Sequence, residues 1–333
     1  MKTIVFDVPA EYGGALTILK QYYDKAVNDK KNHWLFVIST PALLETDNVK
    51  VLRYAWVKKS WLHRLYFEQF VAPKIAELYQ AEEVLSLHNL VVRGIKPGVK
   101  QTLYLHQPLP FVEKRYKITE DYKFWVYQNI MSRMIFNSVR KADSIIVQTN
   151  WMKNACVEKI KVPASKFQVI RPTVEMKVRK TYQQEDEKNK LFFFPADALP
   201  YKNHTLIVEV AKLLKQKGLH NFRVIFTLDG NETRKVRKLY QDVQDNQLPI
   251  EFIGKINIDK VYDYYSKSIL LFPSYIETFG LPMLEAKMQG SPILASDCVF
   301  SHEILDGHPK VKFFDPFNAE ELARLMATTI ASK

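Results

Sequence analysis

Short apolar runs rich in Val, Ile, Leu and Phe alternate with helix-length amphipathic segments along the whole chain. This alternation is the strongest constraint on the fold. A strand, a helix and a further strand repeated many times implies crossover connections, parallel sheets and an α/β architecture. In the first half, Thr3–Val8, Trp34–Ser39, Val49–Ala55, Val84–His88, Thr102–His106, Ser144–Thr149 and Phe167–Arg171 read as strands. Ala15–Val27, Lys59–Leu78 and Tyr122–Lys141 read as helices between them.

The pattern breaks at residues 175–190, which are highly charged and weakly apolar, as an interdomain linker is. It then restarts. Leu191–Pro195, Phe222–Leu228, Ile250–Ile253, Ile269–Phe272 and Pro292–Ala295 read as strands. His204–Lys217, Glu232–Val243 and Asp259–Ser266 read as helices, the first stopped by Gly218. A last helix opens on Asn318 with Glu321 at capping-box spacing. The expected organisation is one domain over 1–175, a linker over 176–190 and a second domain over 191–333. A chain of 333 residues with 47% apolar content is long enough for two cores.

Composition narrows the function classes. Two cysteines, Cys156 and Cys298, form no disulfide framework and fit a reducing compartment. The apolar run at the N-terminus is too short for a signal peptide, and no run of about 18 apolar residues exists to span a bilayer. Residues 1–180 hold 29 Lys and Arg against 16 Asp and Glu; residues 181–333 hold 19 against 20. The excess positive charge therefore sits in the first half and points to an anionic partner. No zinc-ligand spacing, RNA-binding aromatic box or dense basic tail accompanies it, so nucleic acid is not expected. An anionic membrane surface fits better. Trp61, Tyr66 and Phe67, and in the next long helix Phe124, Trp125 and Tyr127, are interleaved with basic residues as in interfacial helices.

The densest chemical signal lies in Pro273–Glu285. Glu277 and Glu285 are eight residues apart, with Phe279, Gly280, Leu281 and Pro282 between them. A strand runs in, and a helix starting near Pro282 and stopping at Gly290 runs out. The loop therefore sits where α/β sheets bind ligands and helix N-termini offer free N–H groups to phosphate. This segment resembles the E-x7-E signature of retaining glycosyltransferases of the GT-B type, the large family 4 class. The resemblance is specific over 191–325 and looser over 1–175. It implies two Rossmann-like domains with parallel sheets facing a central cleft, and transfer from a nucleotide-diphosphate sugar. In it, Glu277 accepts from sugar hydroxyls and Glu285 from a ribose, while Phe279, Gly280 and Leu281 line the donor site.

Further residues fall into place under that resemblance. Lys202 stands in the strand-to-helix turn of the second half, where its charge and the helix dipole both favour a diphosphate. The family pattern has an arginine five residues earlier; here it is Asp197. Gly13 and Gly14 resemble the glycine loop of the first domain, where backbone approaches a ligand closely. His106 ends a strand and matches a histidine beside the donor sugar; His88 ends the preceding strand. Gly254 and Lys255 match a base-contacting strand end, and Val299–Glu303 a segment closing the nucleotide pocket.

No Asp-x-Asp pair ends a strand, so no metal or other cofactor is expected. The expected function is transfer of a sugar to a growing, lipid-linked or oligosaccharide acceptor in bacterial surface polysaccharide synthesis, such as capsule or exopolysaccharide. The expected location is cytoplasmic, at the inner face of the membrane. The alternatives are a GT-B nucleotide-sugar epimerase and an inactive GT-B chain that binds glycans or partners.

Overall fold

The computed structural model describes residues 1–11, 13–172, 180–183 and 189–331. The chain divides into two compact units, Met1–Thr173 and Val174–Lys333. Most of the segment read as a linker, 176–179 and 184–188, lies outside the described residues. Its described part is attached to the second unit: Tyr182 N–H donates to the Gln289 carbonyl and Gln183 N–H to that of Ser266.

The first unit is built on seven strands: β1 (Lys2–Asp7), β2 (His33–Ile38), β3 (Val49–Arg53), β4 (Glu83–Ser86), β5 (Lys100–Leu105), β6 (Ser144–Val147) and β7 (Phe167–Val169). Their spatial order is β3-β2-β1-β4-β5-β6-β7, and every pairing is parallel. Val5 pairs with Phe36 on one side and Leu85 on the other. Both faces are covered, as a parallel sheet requires. Val5, Phe36 and Leu85 pack into one core, and their neighbours Ile4, Phe6, Val37 and Val84 into another.

The second unit has six: β8 (Lys190–Phe194), β9 (Phe222–Phe226), β10 (Ile250–Phe252), β11 (Ile269–Phe272), β12 (Ile293–Ser296) and β13 (Val311–Phe314). The order is β10-β9-β8-β11-β12-β13, again all parallel. Phe192, Phe193 and Phe194 in β8 are fully buried, which is why this strand reads as a continuous apolar run. The strand order reverses between β1 and β4 in one unit and between β8 and β11 in the other. At such switch points, the carboxyl ends of the strands leave a crevice for ligands.

The two long helices differ from the continuous ones expected. The first runs Trp61–Tyr66, widens into a π turn at Phe67–Val71 and resumes at Ala72–Tyr79. Pro73 supplies a reason: it has no N–H for the preceding turn, and its ring crowds that turn. The second runs Tyr122–Val126, a π turn at Tyr127–Met131, then Ser132–Lys141. There buried Gln128 accepts the Tyr116 N–H and donates to the Leu109 and Lys114 carbonyls, while the Ser132 hydroxyl donates to the Gln128 carbonyl. Among the elements that went unread in the sequence are a helix and an edge strand. The helix Asn150–Ile160 carries a legible stripe, Met152, Cys156 and Ile160, four residues apart and buried. The edge strand β13 is short and half-exposed, so it shows no such stripe.

Candidate active site

The second unit's switch point brings together residues far apart in sequence. After β8 the chain makes a single 3₁₀ turn, Pro200–Lys202, before the helix His204–Gln216. Asn203 joins them in the left-handed region, φ +64°. Its side-chain amide donates to the Pro316 carbonyl, fixing the turn. After β11, Tyr275 N–H donates to the Tyr201 carbonyl at 3.1 Å, so the two loops are tied by backbone. In this frame Lys202 Nζ lies 2.5 Å from Glu277 Oε1, and each side chain is about 15% exposed (15% and 14%). The ammonium also sits 5.7 Å from the centre of the Tyr201 ring. Burial, then Glu277 and Asp197, push the Tyr201 phenol far up, so it stays neutral.

The helix after this loop runs Leu281–Gln289, with Gly280 as its N-cap and Gly290 as its C-cap. Gly280 has φ +85°, and a Cβ there would meet Met283 Cε at 2.6 Å and Phe272 Cζ at 3.3 Å. The left-handed backbone favours glycine here, and a Cβ would also displace the end of the Met283 side chain. Phe279 is buried beneath the loop. Leu281 opens the helix and Glu285 follows one turn later. Tyr265 donates its hydroxyl to Glu285 Oε2 at 3.1 Å. Burial raises the Glu285 carboxyl above the usual range, and the Tyr265 hydrogen bond offsets part of that rise. Lys202, Glu277 and the start of the Glu285 helix thus gather at the carboxyl edge of β8 and β11.

Other expected residues lie at the same edge. Gly254, φ +69°, and exposed Lys255 follow β10. Val299–Leu305 is a helix after β12, and His302 Nε2 lies 2.6 Å from Asp297 Oδ1 at its start. Asp197, at the position of the family's arginine, is exposed and ends no ion pair among the described residues.

In the first unit, Gly13 (φ +61°) and Gly14 open the helix Gly13–Asn28, and a Cβ at either would meet nothing within 4 Å. His106 follows β5; its backbone N–H donates to Asn89 Oδ1 at 2.7 Å, and its ring stands edge-on to Tyr104. Burial, reinforced by His88, depresses the imidazole to about 4, so His106 is neutral at pH 7. It lines a cavity of about 200 Å³ with Asp7, Arg64, His88 and Tyr127. Asp7 was not singled out in the sequence. An acid at the end of a strand reads as a solvated loop residue, and nothing local marks it as buried. Among the described residues, no group of three or more His, Cys, Asp or Glu is placed to hold a metal ion.

Residues 178–333 match the family model of glycosyl transferases group 1. The second unit matches a group 1 glycosyltransferase domain, over just under half of the chain. The chain is 24% identical over 230 residues to the O-antigen chain mannosyltransferase RfbU of Salmonella typhimurium, covering 66% of the chain and 62% of that relative. It is 23% identical over 294 residues to the processive diacylglycerol alpha-glucosyltransferase of Acholeplasma laidlawii, covering 80% and 86%. The fold matches Anabaena Alr3699/HepE, solved with UDP and glucose, at TM-score 0.69 and 16% identity over 100% of this chain and 90% of that one. It also matches WaaG, a glycosyltransferase of lipopolysaccharide biosynthesis, at TM-score 0.71 and 13% identity over 100% and 91%. The architecture is GT-B: two α/β units, each with a parallel sheet.

Proposed function

We propose that the protein transfers a sugar, with retention at the anomeric carbon, from a nucleoside diphosphate donor to a growing lipid-linked glycan in bacterial surface polysaccharide synthesis. The observation that carries this reading is the Lys202–Glu277 pair at the switch point of a group 1 domain. As the bond from the anomeric carbon to the diphosphate oxygen breaks, its electron pair goes to the diphosphate, and Lys202 stabilises that charge. Glu277 fixes the lysine with one oxygen and keeps the other for a sugar hydroxyl. Glu285 takes Tyr265 on Oε2, leaving Oε1 for a ribose hydroxyl. His106, neutral, serves as a hydrogen-bonding group rather than a cation. A lysine and a helix N-terminus supply the positive field, so the reaction is expected to run without a metal ion. The two relatives above act on an O-antigen chain and on diacylglycerol by name, which supports a lipid-linked acceptor.

The same reading places the protein at the inner membrane face. No helix among the described residues is long and apolar enough to cross a bilayer. Leu62, Tyr66, Phe70 and Leu78 are 69%, 56%, 54% and 85% exposed along one helical stretch. Positions four apart drift round an α-helix by about 40° per step. The wider π turn at Phe67–Val71 reverses part of that drift and holds the stripe together. Exposed Lys59 and Lys74 flank it, as on a helix that lies in an anionic interface.

A melting-temperature screen against nucleotide sugars tests the donor assignment, since a ligand raises apparent stability by mass action. A single stabilising donor, turned over in the presence of EDTA to a product of retained anomeric configuration, is expected. Inversion, epimerised donor or a strict need for Mg²⁺ would overturn it.

A further inference from the structure

We propose that the groove across the amino ends of β8, β11, β12 and β13 binds a small phosphate monoester. These strands are parallel, so the groove lies at the opposite edge of the second unit's sheet from Lys202 and Glu277. Its volume is about 260 Å³. Lys190, the first residue of β8, lines it, as do Lys310 and Lys312 at the amino end of β13. β8 and β13 are three strand spacings apart in the sheet order, about 14 Å. Cations therefore stand at both ends of the groove, and Tyr182 lines the same space.

This charge is out of keeping with the unit that carries it. Residues 181–333 hold 19 Lys and Arg against 20 Asp and Glu, yet three lysines and no acid line the groove. Among the described residues, none of the three lysines is paired with a carboxylate. Lys310 leans on neutral groups instead: its Nζ is 3.4 Å from the Gly290 carbonyl and 5.2 Å from the centre of the Tyr182 ring. The positive field reaches His308, whose Nε2 is 2.8 Å from the Ser291 carbonyl. Burial, then Lys287 and Lys310, lower its basicity against that hydrogen bond. Like charges gathered in this way repel, and an anion set among them removes the repulsion.

The lining groups set the ligand class. Burial raises the Tyr182 phenol, so it keeps its proton and can donate. Thr328 and Thr329 also line the groove, but their hydroxyl protons go to the Arg324 and Leu325 carbonyls. The donors left for a ligand are the ammonium groups and the phenol. A phosphate monoester carries about −1.5 to −2 at pH 7 on acceptor oxygens, more than the single charge of a carboxylate, and suits three cations better. Ile269 and Pro292, from the two strands between the charged ends, add carbon surface for the organic part of the ester.

The test titrates the full chain with glycerol 3-phosphate and with inorganic phosphate at low ionic strength, following backbone amides by NMR. Both should give saturable shifts at Gly290, Ile293 and Lys312, with glycerol 3-phosphate the tighter. Binding should strengthen as pH rises through about 6, where the phosphate gains its second charge. The double variant Lys310→Gln, Lys312→Gln should weaken it about tenfold or more, the scale of one or two charge-assisted hydrogen bonds, without lowering the melting temperature. Lys202→Gln should leave the shifts in place, which separates this groove from the donor site. The site is overturned by the absence of saturable shifts, by shifts that sodium chloride reproduces at equal ionic strength, by shifts that survive the double variant, or by shifts that vanish with Lys202→Gln. Glycerol 3-phosphate binding no tighter than inorganic phosphate would overturn the ester assignment. The donor reading is decided separately, by whether any nucleoside diphosphate binds.

Discussion

Lys202 and Glu277 are 75 residues apart and meet at 2.5 Å across the gap between β8 and β11. The pair is largely buried, so each charge depends on the other for its solvation. Lys202→Met should lower kcat/KM by about a hundredfold or more, the scale for losing one transition-state electrostatic group. It should also cost up to about 3 kcal/mol of stability, because Glu277 is left uncompensated. Adding Glu277→Gln should recover stability but not turnover. Chemical denaturation and steady-state kinetics on the single and double variants check this. Recovery of turnover in the double variant would remove Lys202 from the chemistry.

The two glutamates should separate in binding. Glu285→Ala should weaken binding of the free nucleoside diphosphate, while Glu277→Ala should leave that affinity near wild type and harm turnover of the complete donor. Calorimetry with nucleoside diphosphate and nucleotide sugar on each variant decides it. Equal loss of nucleotide affinity in both would reverse the assignment.

Gly280→Ala places a Cβ against Met283 and Phe272 at a φ of +85°. The backbone term alone costs about 1–2 kcal/mol, and the Met283 side chain must turn away from the new methyl group. A lower melting temperature and weaker nucleotide binding are expected together. Lost stability with unchanged nucleotide affinity would show that this helix start does not contact the donor.

Asp7 should give the protein a distinctive pH dependence. Its folded pKa is raised from 3.8 to about 7. Between those values the native state holds a proton that the unfolded chain has released, so this residue's contribution falls as pH rises and levels off above about 7. Asp7→Asn removes that loss. The variant should therefore gain on wild type by on the order of a few kcal/mol as pH goes from 4 to 7. Urea unfolding at fixed pH values measures it; a pH-independent difference would mean that the carboxyl is solvated.

The exposed stripe should anchor the protein to anionic vesicles. Each basic residue near such a surface contributes roughly 1 kcal/mol, fading within about 8 Å at physiological salt. The Leu62→Ser, Tyr66→Ser, Phe70→Ser triple variant should lose most co-sedimentation while keeping activity on a soluble acceptor. High salt should release the wild-type protein. Vesicle binding unchanged in the triple variant would remove this face from the docking model.

Local chemistry carried a large part of this molecule in the order of its residues. Buried parallel strands must be apolar on both faces, so runs such as Phe192–Phe194 and Ile269–Phe272 announce themselves. Helix stops need particular backbone conformations, so Gly218 and Gly290 mark their ends. Glu277, Glu285 and Lys202 stood out because each lies beside a strand end and a helix start. Strand order is a matter of long-range pairing, and no local rule sets it. The insertion of β1 and β8 into the middle of their sheets is what seats Lys202 against Glu277 and buries Asp7 beside His88 and His106. The π turns likewise answer packing: Pro73 permits one, but the other follows from Gln128 turning inward to carbonyls up to 19 residues away. A residue's type is fixed by the chain, whereas its solvation, and with it the protonation of a group such as Asp7, is fixed by neighbours that folding brings from elsewhere.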